Sequence, residues 1–255
     1  MTPREIGMLY DESMALAILA KLKRQTRRPI RPLASAGLPD GDWFDKHAEW
    51  STPRLQMDAN GYGGLVAETQ GGSTYTCPLP RCPYGAPGDV LVQLSSWATD
   101  KRFDSWKPTE IAAQCNGGPH EMGRPLFWSR WDGTPKPDWC GKLRPGRFMP
   151  LSLRYLMPRA RVTEVRVERV QSISEADAIA EGLARITKDG TTCKFGIPDR
   201  DRMPGTDDLG WPWNEWCTDP RAAYRHLWEL TYGPESWDRN DWVWVVSFAQ
   251  IARNA

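Results

Sequence analysis

The chain has 255 residues, with 33 Lys and Arg against 32 Asp and Glu, so its formal net charge is +1. This length allows one well-buried core, and the near-neutral charge excludes a protein held to nucleic acid or anionic membranes by overall charge alone. The 14 Trp, 22 Gly and 22 Pro indicate long ordered loops anchored by aromatic side chains rather than low-complexity disorder.

The start of the chain carries no recognisable targeting segment. Residues 1–10 contain acid and proline and lack the charged start and long apolar centre of a secretory signal. No apolar run approaches the roughly 20 residues that a membrane helix needs. We therefore expect a cytoplasmic protein without membrane contact, whose six cysteines are reduced.

The first 30 residues predict a strand, a helix and a basic loop. Residues 5–10 have strand character, and Asp11 or Ser13 can cap the helix that follows. The apolar positions of this helix surround almost its whole circumference, so we expect it to be well buried. Pro29 disfavours helical dihedral angles in the residue before it, which predicts that residues 23–28 are a helix end opening into a loop.

The middle of the chain predicts strands separated by turn-rich sequence. Residues 65–68 and 73–77 are expected to form a short hairpin, and residues 90–94 a clear strand. Residues 98–150 are rich in Trp, Pro and Gly without sustained periodicity, which predicts a long loop insertion.

A second strand begins near Arg161, with Val165 and Val167 on one face. Ser174 is expected to cap a helix that runs to about Leu183. The other face of the strand is charged and consists of Glu164, Arg166 and Glu168.

The C-terminal third predicts a second insertion, a capped helix and a buried strand. The insertion covers residues 187–218, and Asp219 and Pro220 then begin a helix with Leu227 and Leu230 as its apolar stripe. Residues 242–248 alternate aromatic and aliphatic side chains, as is typical of a central strand with both faces covered. The element order indicates an α+β fold built on a small mixed β-barrel with flanking helices and two long loop insertions, in one domain over residues 1–255.

The basic segment 23–28 holds the first candidate catalytic residues. Lys23 lies three residues before Thr26, and a lysine can act as base for a hydroxyl nucleophile when burial or neighbouring cations lower the pKa of its amine. The alternative is a basic surface turn without catalytic function.

With these elements in order, the chain resembles the ASCH domain family, a PUA-like β-barrel group, and specifically its phage-encoded long forms. This resemblance implies a barrel formed by roughly half of the chain, with both insertions outside the minimal domain. The matching stretches are residues 23–28, 82–89, 162–182, 227–228, 233–237 and 242–248.

One ASCH subgroup is a small bacterial N(4)-acetylcytidine amidohydrolase with a Lys-x-x-Thr-x-Arg segment and a later catalytic Glu. The resemblance assigns these roles to Lys23, Thr26 and Glu181, and the motif arginine to Arg28. It implies metal-independent cleavage of the N(4)-acyl group of acylated cytidine or cytosine, with no cofactor. Thr26 would attack the acyl carbonyl, Lys23 would take its proton, and Glu181 would orient Lys23 or a water and protonate the departing cytosine.

Three further side chains are predicted to bind the nucleoside substrate. Arg28 would orient the base or steady the developing oxyanion, Arg27 lies beside it, and Trp97 could stack on the base. The alternatives remain a structural Lys23–Glu181 ion pair with Thr26 capping a turn, a noncatalytic module that binds RNA or a modified nucleotide, and an interaction protein of a phage particle.

The cysteines give no metal motif. Cys77 and Cys82, with Cys115, His120 or Cys140, could be proposed as a zinc site, but their spacing fits no standard zinc motif. We therefore predict no metal site.

Overall fold

A computed structural model of the chain describes residues 3–30, 54–57, 63–68, 72, 74–79, 82–114, 127–129, 136–205 and 209–251. The helices are α1 Glu12–Leu19, α2 Pro108–Gln114, α3 Glu175–Ala180 and α4 Pro220–Tyr232. The strands are β1 Glu5–Leu9, β2 Gln25–Pro29, β3 Arg54–Met57, β4 Gly63–Glu68, β5 Thr74–Leu79, β6 Val90–Leu94, β7 Trp97–Thr99, β8 Phe127–Ser129, β9 Arg159–Arg169, β10 Ala184–Thr187, β11 Cys193–Gly196 and β12 Trp242–Ile251.

Five strands from both ends and the middle of the chain form one mixed sheet, in the order β1-β6-β9-β12-β2. Strands β1 and β6 are parallel, and the other neighbours are antiparallel. Smaller antiparallel sheets consist of β3-β4-β5, β7-β8 and β10-β11. The predicted α+β class is confirmed, and within the described residues no sheet closes into a barrel.

The C-terminal strand is the centre of the core. In β12, Val243, Val245 and Val246 have no exposed surface, and Trp242 and Trp244 are buried on either side of Val243. This strand lies between β9 and β2, so both of its edges are paired, and the burial of successive side chains shows that both of its faces are covered, as the alternating aromatic and aliphatic sequence predicts. Its register with β9 shifts between Ser247 and Phe248.

The helix caps follow the sequence prediction. The Asp11 carboxylate accepts a hydrogen bond from the Met14 N–H at the start of α1, and the Ser174 hydroxyl accepts one from Asp177 at the start of α3. Helix α4 begins at Pro220 and ends at Tyr232, and Gly233, whose φ is 97°, follows as its C-cap. The Asp11 and Ser174 side chains thus supply hydrogen-bond acceptors for N–H groups in the first turns of α1 and α3, which have no partner within the helix.

The structure corrects three of the local predictions. Residues from Gln25 onward form a strand, not a loop, because β12 supplies a hydrogen-bonding partner. Helix α3 ends at Ala180 and not near Leu183. In α4 the buried face contains Tyr224 and Trp228, whereas Leu230 is 62% exposed.

The two predicted insertions contain regular structure in their described parts. Residues 98–150 include α2, β8 and the end of β7, and residues 187–218 include β11. In the described part of the chain, no helix has the length and apolar character required to cross a membrane.

Candidate functional site

A tight turn after α1 brings Lys23 against the end of α3. Lys21 adopts a left-handed conformation with φ of 61°, so the chain reverses immediately after the helix. Lys23 then forms an isolated antiparallel bridge with Glu181, and the Arg24 N–H donates to the Ala180 carbonyl over 2.8 Å. Two segments that are distant in sequence are thereby held together by their backbones as well as by their side chains.

Gly182 makes this close approach possible. Its φ of 115° is a conformation that other residues rarely adopt, and it follows directly after Glu181. A Cβ atom at this position would lie 3.2 Å from the Ala17 Cβ and 3.3 Å from the Lys23 Cβ. Glycine therefore meets both a conformational and a steric requirement here.

The side chains of Lys23 and Glu181 form a buried pair. The Lys23 Nζ lies 2.7 Å from Glu181 Oε2, and it also donates to the Glu181 backbone carbonyl over 2.7 Å. Their side chains are only 3% and 4% exposed. The two residues are 158 positions apart in the sequence, so the fold itself creates this contact.

Burial changes the proton affinity of the lysine. It lowers the pKa of the Lys23 amine below its usual value, and the charge of Arg28 acts in the same direction. Glu181, through its charge and its hydrogen bond, opposes both effects, as Asp11 does more weakly. A lowered pKa is what a lysine needs if it is to accept a proton from a hydroxyl group.

Thr26 lies on β2, opposite Val246 of β12, and is 3% exposed. Together with Lys23 and Glu181 it lines an open pocket of about 490 Å³, counted with the solvent-filled space at its mouth. The three predicted catalytic residues therefore border one pocket. This arrangement places a hydroxyl group on the same cavity as a buried amine–carboxylate pair.

The two arginines beside Thr26 have different surroundings. Arg28 donates from Nη2 to the Leu9 carbonyl over 2.9 Å, bonds to Tyr232, and places its guanidinium 5.8 Å from the centre of the Tyr10 ring. Arg27 instead directs its guanidinium towards carboxylates behind the pocket. Both residues contribute to the pocket lining.

One face of α4 forms a wall of the pocket that the predicted aliphatic stripe does not include. Its members recur at helical spacing, and Trp228 packs on Tyr232 with ring centres 4.3 Å apart. The predicted stripe of Leu227 and Leu230 was drawn from aliphatic residues alone, although the aromatic residues carry the same periodicity. The α4 residues that line the pocket are Tyr224, Leu227, Trp228, Thr231 and Tyr232.

Several polar atoms of the lining residues have no hydrogen-bond partner among the described residues. They are buried, and three of the four are N–H donors. Buried polar groups are rarely left unpaired in proteins, so this concentration around one cavity is typical of a site that binds a polar ligand. The atoms are Arg27 Nε, Arg28 Nε, Trp228 Nε1 and Glu181 Oε1.

Trp97 does not line this pocket. It is fully buried, stacks on Phe127 with ring centres 5.9 Å apart, and has the Arg144 guanidinium 5.4 Å from its ring. This position gives no support to the prediction that Trp97 contacts the substrate. None of the described residues from 98–150 or 187–218 lines the pocket either.

No group of three or more His, Cys, Asp or Glu side chains is placed to hold a metal ion within the described ranges. Cys82 and Cys140 are buried in separate apolar clusters. Burial raises the pKa of Cys82 to about 11, so this thiol stays protonated near neutral pH. Cys115 and His120 lie outside the described residues, as does the side chain of Cys77.

Comparison with models of known protein families, with curated proteins and with solved structures finds no match to this chain.

Proposed function

We propose that the chain is a metal-independent amidohydrolase that removes the N(4)-acyl group from acylated cytidine or cytosine. One observation carries this proposal: Lys23 and Glu181, which are 158 positions apart, meet at 2.7 Å in a pocket that Thr26 also lines. These are the three residue types, in the same order along the chain, that the resemblance to the ASCH amidohydrolases requires.

The Lys23–Glu181 pair supplies the proton transfers. Lys23 in its neutral form accepts the Thr26 proton and passes it across their 2.7 Å contact to Glu181. The Thr26 oxygen then bonds to the acyl carbon, and the bond from that carbon to N4 of cytosine breaks as Glu181 protonates N4. Water, activated in the same way, releases the acid from the acyl-enzyme and restores Thr26.

The remaining pocket residues are suited to hold the base. The aromatic side chains of Tyr224, Trp228 and Tyr232 offer flat apolar surface against which a pyrimidine can pack. The unpaired N–H groups of Arg28 and Trp228 match the carbonyl and ring-nitrogen acceptors of cytosine. Arg28 would also stabilise the oxyanion that forms when Thr26 attacks.

We also propose that the fold is a PUA-like barrel and that the protein is cytoplasmic. The mixed five-stranded sheet supports the barrel, because it already brings β2 and β12 from opposite ends of the chain side by side.

Turnover of N(4)-acetylcytidine by the purified protein in the presence of a chelator tests the proposal. We expect cytidine and acetate as products. Thr26→Val, which keeps the shape of the side chain and removes the hydroxyl, should lower kcat by about a thousandfold or more, whereas Thr26→Ser should keep part of the activity. Lys23→Ala and Glu181→Ala should also inactivate the enzyme, and their effects should not add to that of Thr26→Val.

A second candidate is a noncatalytic module that binds RNA or a modified nucleotide. The unpaired buried donors around the pocket favour the binding module and the amidohydrolase equally, because these donors would bind a polar ligand whether or not the ligand is cleaved. Binding of cytidine derivatives without turnover, across several acyl groups, would establish this candidate and reject the amidohydrolase.

A further inference from the structure

Arg27 is enclosed by protein oxygens. Its side chain has no exposed surface, and Nη2 lies 3.0 Å from both Glu168 Oε2 and Asp177 Oδ2. Nη1 donates to Gln25 Oε1 and lies 3.6 Å from Glu181 Oε1. The edge of a guanidinium that normally binds a ligand in bidentate fashion is therefore occupied by the protein.

The carboxylates that hold Arg27 are themselves fixed by a second arginine. Arg166 donates from Nη2 to Asp177 Oδ2 over 2.6 Å and from Nε to Glu168 Oε1 over 2.6 Å. Neither Asp177 nor Glu168 lines the pocket. Although burial raises it, hydrogen bonds from Gln25 and Arg27 and the charge of Arg166 leave the pKa of Asp177 below its usual value, so this carboxylate stays ionised.

Glu181 thus faces a cation on each carboxylate oxygen. Oε2 bonds to Lys23, and Oε1, which accepts no hydrogen bond among the described residues, faces the Arg27 guanidinium at the ion-pair distance of 3.6 Å. A carboxylate with one partner can rotate about its last side-chain bond, whereas a second, immobile cation fixes the plane of the group.

We propose that Arg27 is a positioning residue that orients Glu181 towards Lys23 and is anchored for this role by Asp177 and Glu168. This inference rests on the proposed amidohydrolase function and replaces the prediction that Arg27 binds substrate. It assigns a catalytic effect to two carboxylates that lie outside the pocket.

The kinetic test uses Asp177→Asn, which removes an anchor, and Glu164→Gln as its matched control. Glu164 accepts a hydrogen bond from Arg166 over 3.0 Å in the same cluster, whereas the ion pairs of Arg27 among the described residues are with Glu168, Asp177 and Glu181. With N(4)-acetylcytidine, Asp177→Asn should lower kcat roughly 10- to 100-fold with KM nearly unchanged, because misplaced groups slow the chemical step. Glu164→Gln should keep both constants, and Arg27→Lys should lower kcat without adding to the effect of Asp177→Asn.

A measurement without substrate separates this inference from the proposed function. Labelling of lysines by an amine-reactive reagent, read by mass spectrometry, should be slow at Lys23 in the wild type and in Glu164→Gln, because Lys23 is 3% exposed and paired. Labelling should be several-fold faster in Asp177→Asn, with circular dichroism confirming that the variant is folded.

Unchanged Lys23 protection together with unchanged kcat in Asp177→Asn would overturn the inference. A raised KM with unchanged kcat in Arg27→Lys would also overturn it, since that pattern marks a substrate contact. A wild type that turns over no acylcytidine would reject the proposed function, while the labelling result would still decide the role of Arg27.

Discussion

At the scale of single residues, the charge state of Lys23 determines what the pocket can do. Burial and Arg28 lower the pKa of its amine, and Glu181 and Asp11 raise it. The effects of the charged neighbours can be separated by replacing one neighbour at a time, because each of them acts through its charge on the Lys23 amine.

The first expectation concerns the pH dependence of kcat/KM. Activity should rise with pH as Lys23 loses its proton and should level off below the usual lysine value of 10.5. Arg28→Gln removes a positive neighbour and should shift this rise to higher pH. Glu181→Gln removes a negative neighbour, so the rise of its residual activity should move to lower pH.

Lys23→Arg is the control, since a guanidinium keeps its proton and cannot act as base. Activity in this variant, or a shift in the same direction in Arg28→Gln and Glu181→Gln, would be incompatible with Lys23 as the base.

At the scale of elements, the turns that flank α1 and α3 determine whether Lys23 and Glu181 meet. Gly182→Ala should destabilise the protein by about 1–3 kcal/mol through its backbone conformation and should also displace Lys23. Gly88→Ala is the matched control, because Gly88 has a φ of 96° but nothing within 4 Å of an added Cβ atom.

Urea unfolding should register a loss of stability in both glycine variants, but only Gly182→Ala should lose turnover. Full activity in Gly182→Ala would contradict the view that this close approach sets the catalytic geometry.

Sequence patterns predicted the elements whose signals are local. Asp11, Ser174 and Asp219 begin helices as expected, and the alternating pattern of β12 indicates a strand covered on both faces. The strand β2 was missed because its partner is remote: Gln25 pairs with Ser247 of β12, which lies 222 positions further along the chain. No window of sequence contains that information.

The candidate site was predictable in part. Lys23, Thr26 and Glu181 were named through the resemblance to a family, and the fold places all three around one pocket. The role of Arg27 was not predictable, because a run of basic residues usually faces water, whereas here remote carboxylates surround Arg27. The charged face of β9 likewise suggests a solvated surface, yet Glu168 bonds to this buried arginine.

At the scale of the whole molecule, Arg4 and Asp89 link the start of the chain to the parallel edge of the large sheet. The Asp89 carboxylate accepts hydrogen bonds from the Arg4 backbone over 2.9 Å, from the Arg4 side chain over 2.6 Å, and from the Ala86 N–H over 3.0 Å. Burial raises the pKa of Asp89, but the bonds from Arg4 and Ala86 lower it by more than burial raises it. The pKa of Asp89 is therefore below its usual value.

Asp89→Asn should lower the free energy of unfolding at neutral pH by about 1–3 kcal/mol, because charged hydrogen bonds are lost. The folded-state pKa of Asp89 is depressed, so its contribution is present above the unfolded-state value and disappears as pH falls through the folded-state value. Urea unfolding at several pH values should therefore find wild type and Asp89→Asn converging below pH 3.8.

Glu5→Gln provides the comparison for Asp89→Asn. Glu5 pairs with Arg159 at 3.0 Å, but their side chains are 53% and 36% exposed, so its removal should change stability by less than about 1 kcal/mol. Equal losses in Glu5→Gln and Asp89→Asn at neutral pH would show that the Arg4–Asp89 link has no special role.

The position of β2 in the sheet has a consequence for synthesis on the ribosome. Thr26 is synthesised long before Trp242, the first residue of β12, and in the described part of the chain β12 is the only sheet partner of the strand that holds Thr26. A nascent chain therefore carries Thr26 without its final backbone support until β12 has been translated. Premature termination before β12 yields a chain with every proposed catalytic side chain and no assembled pocket.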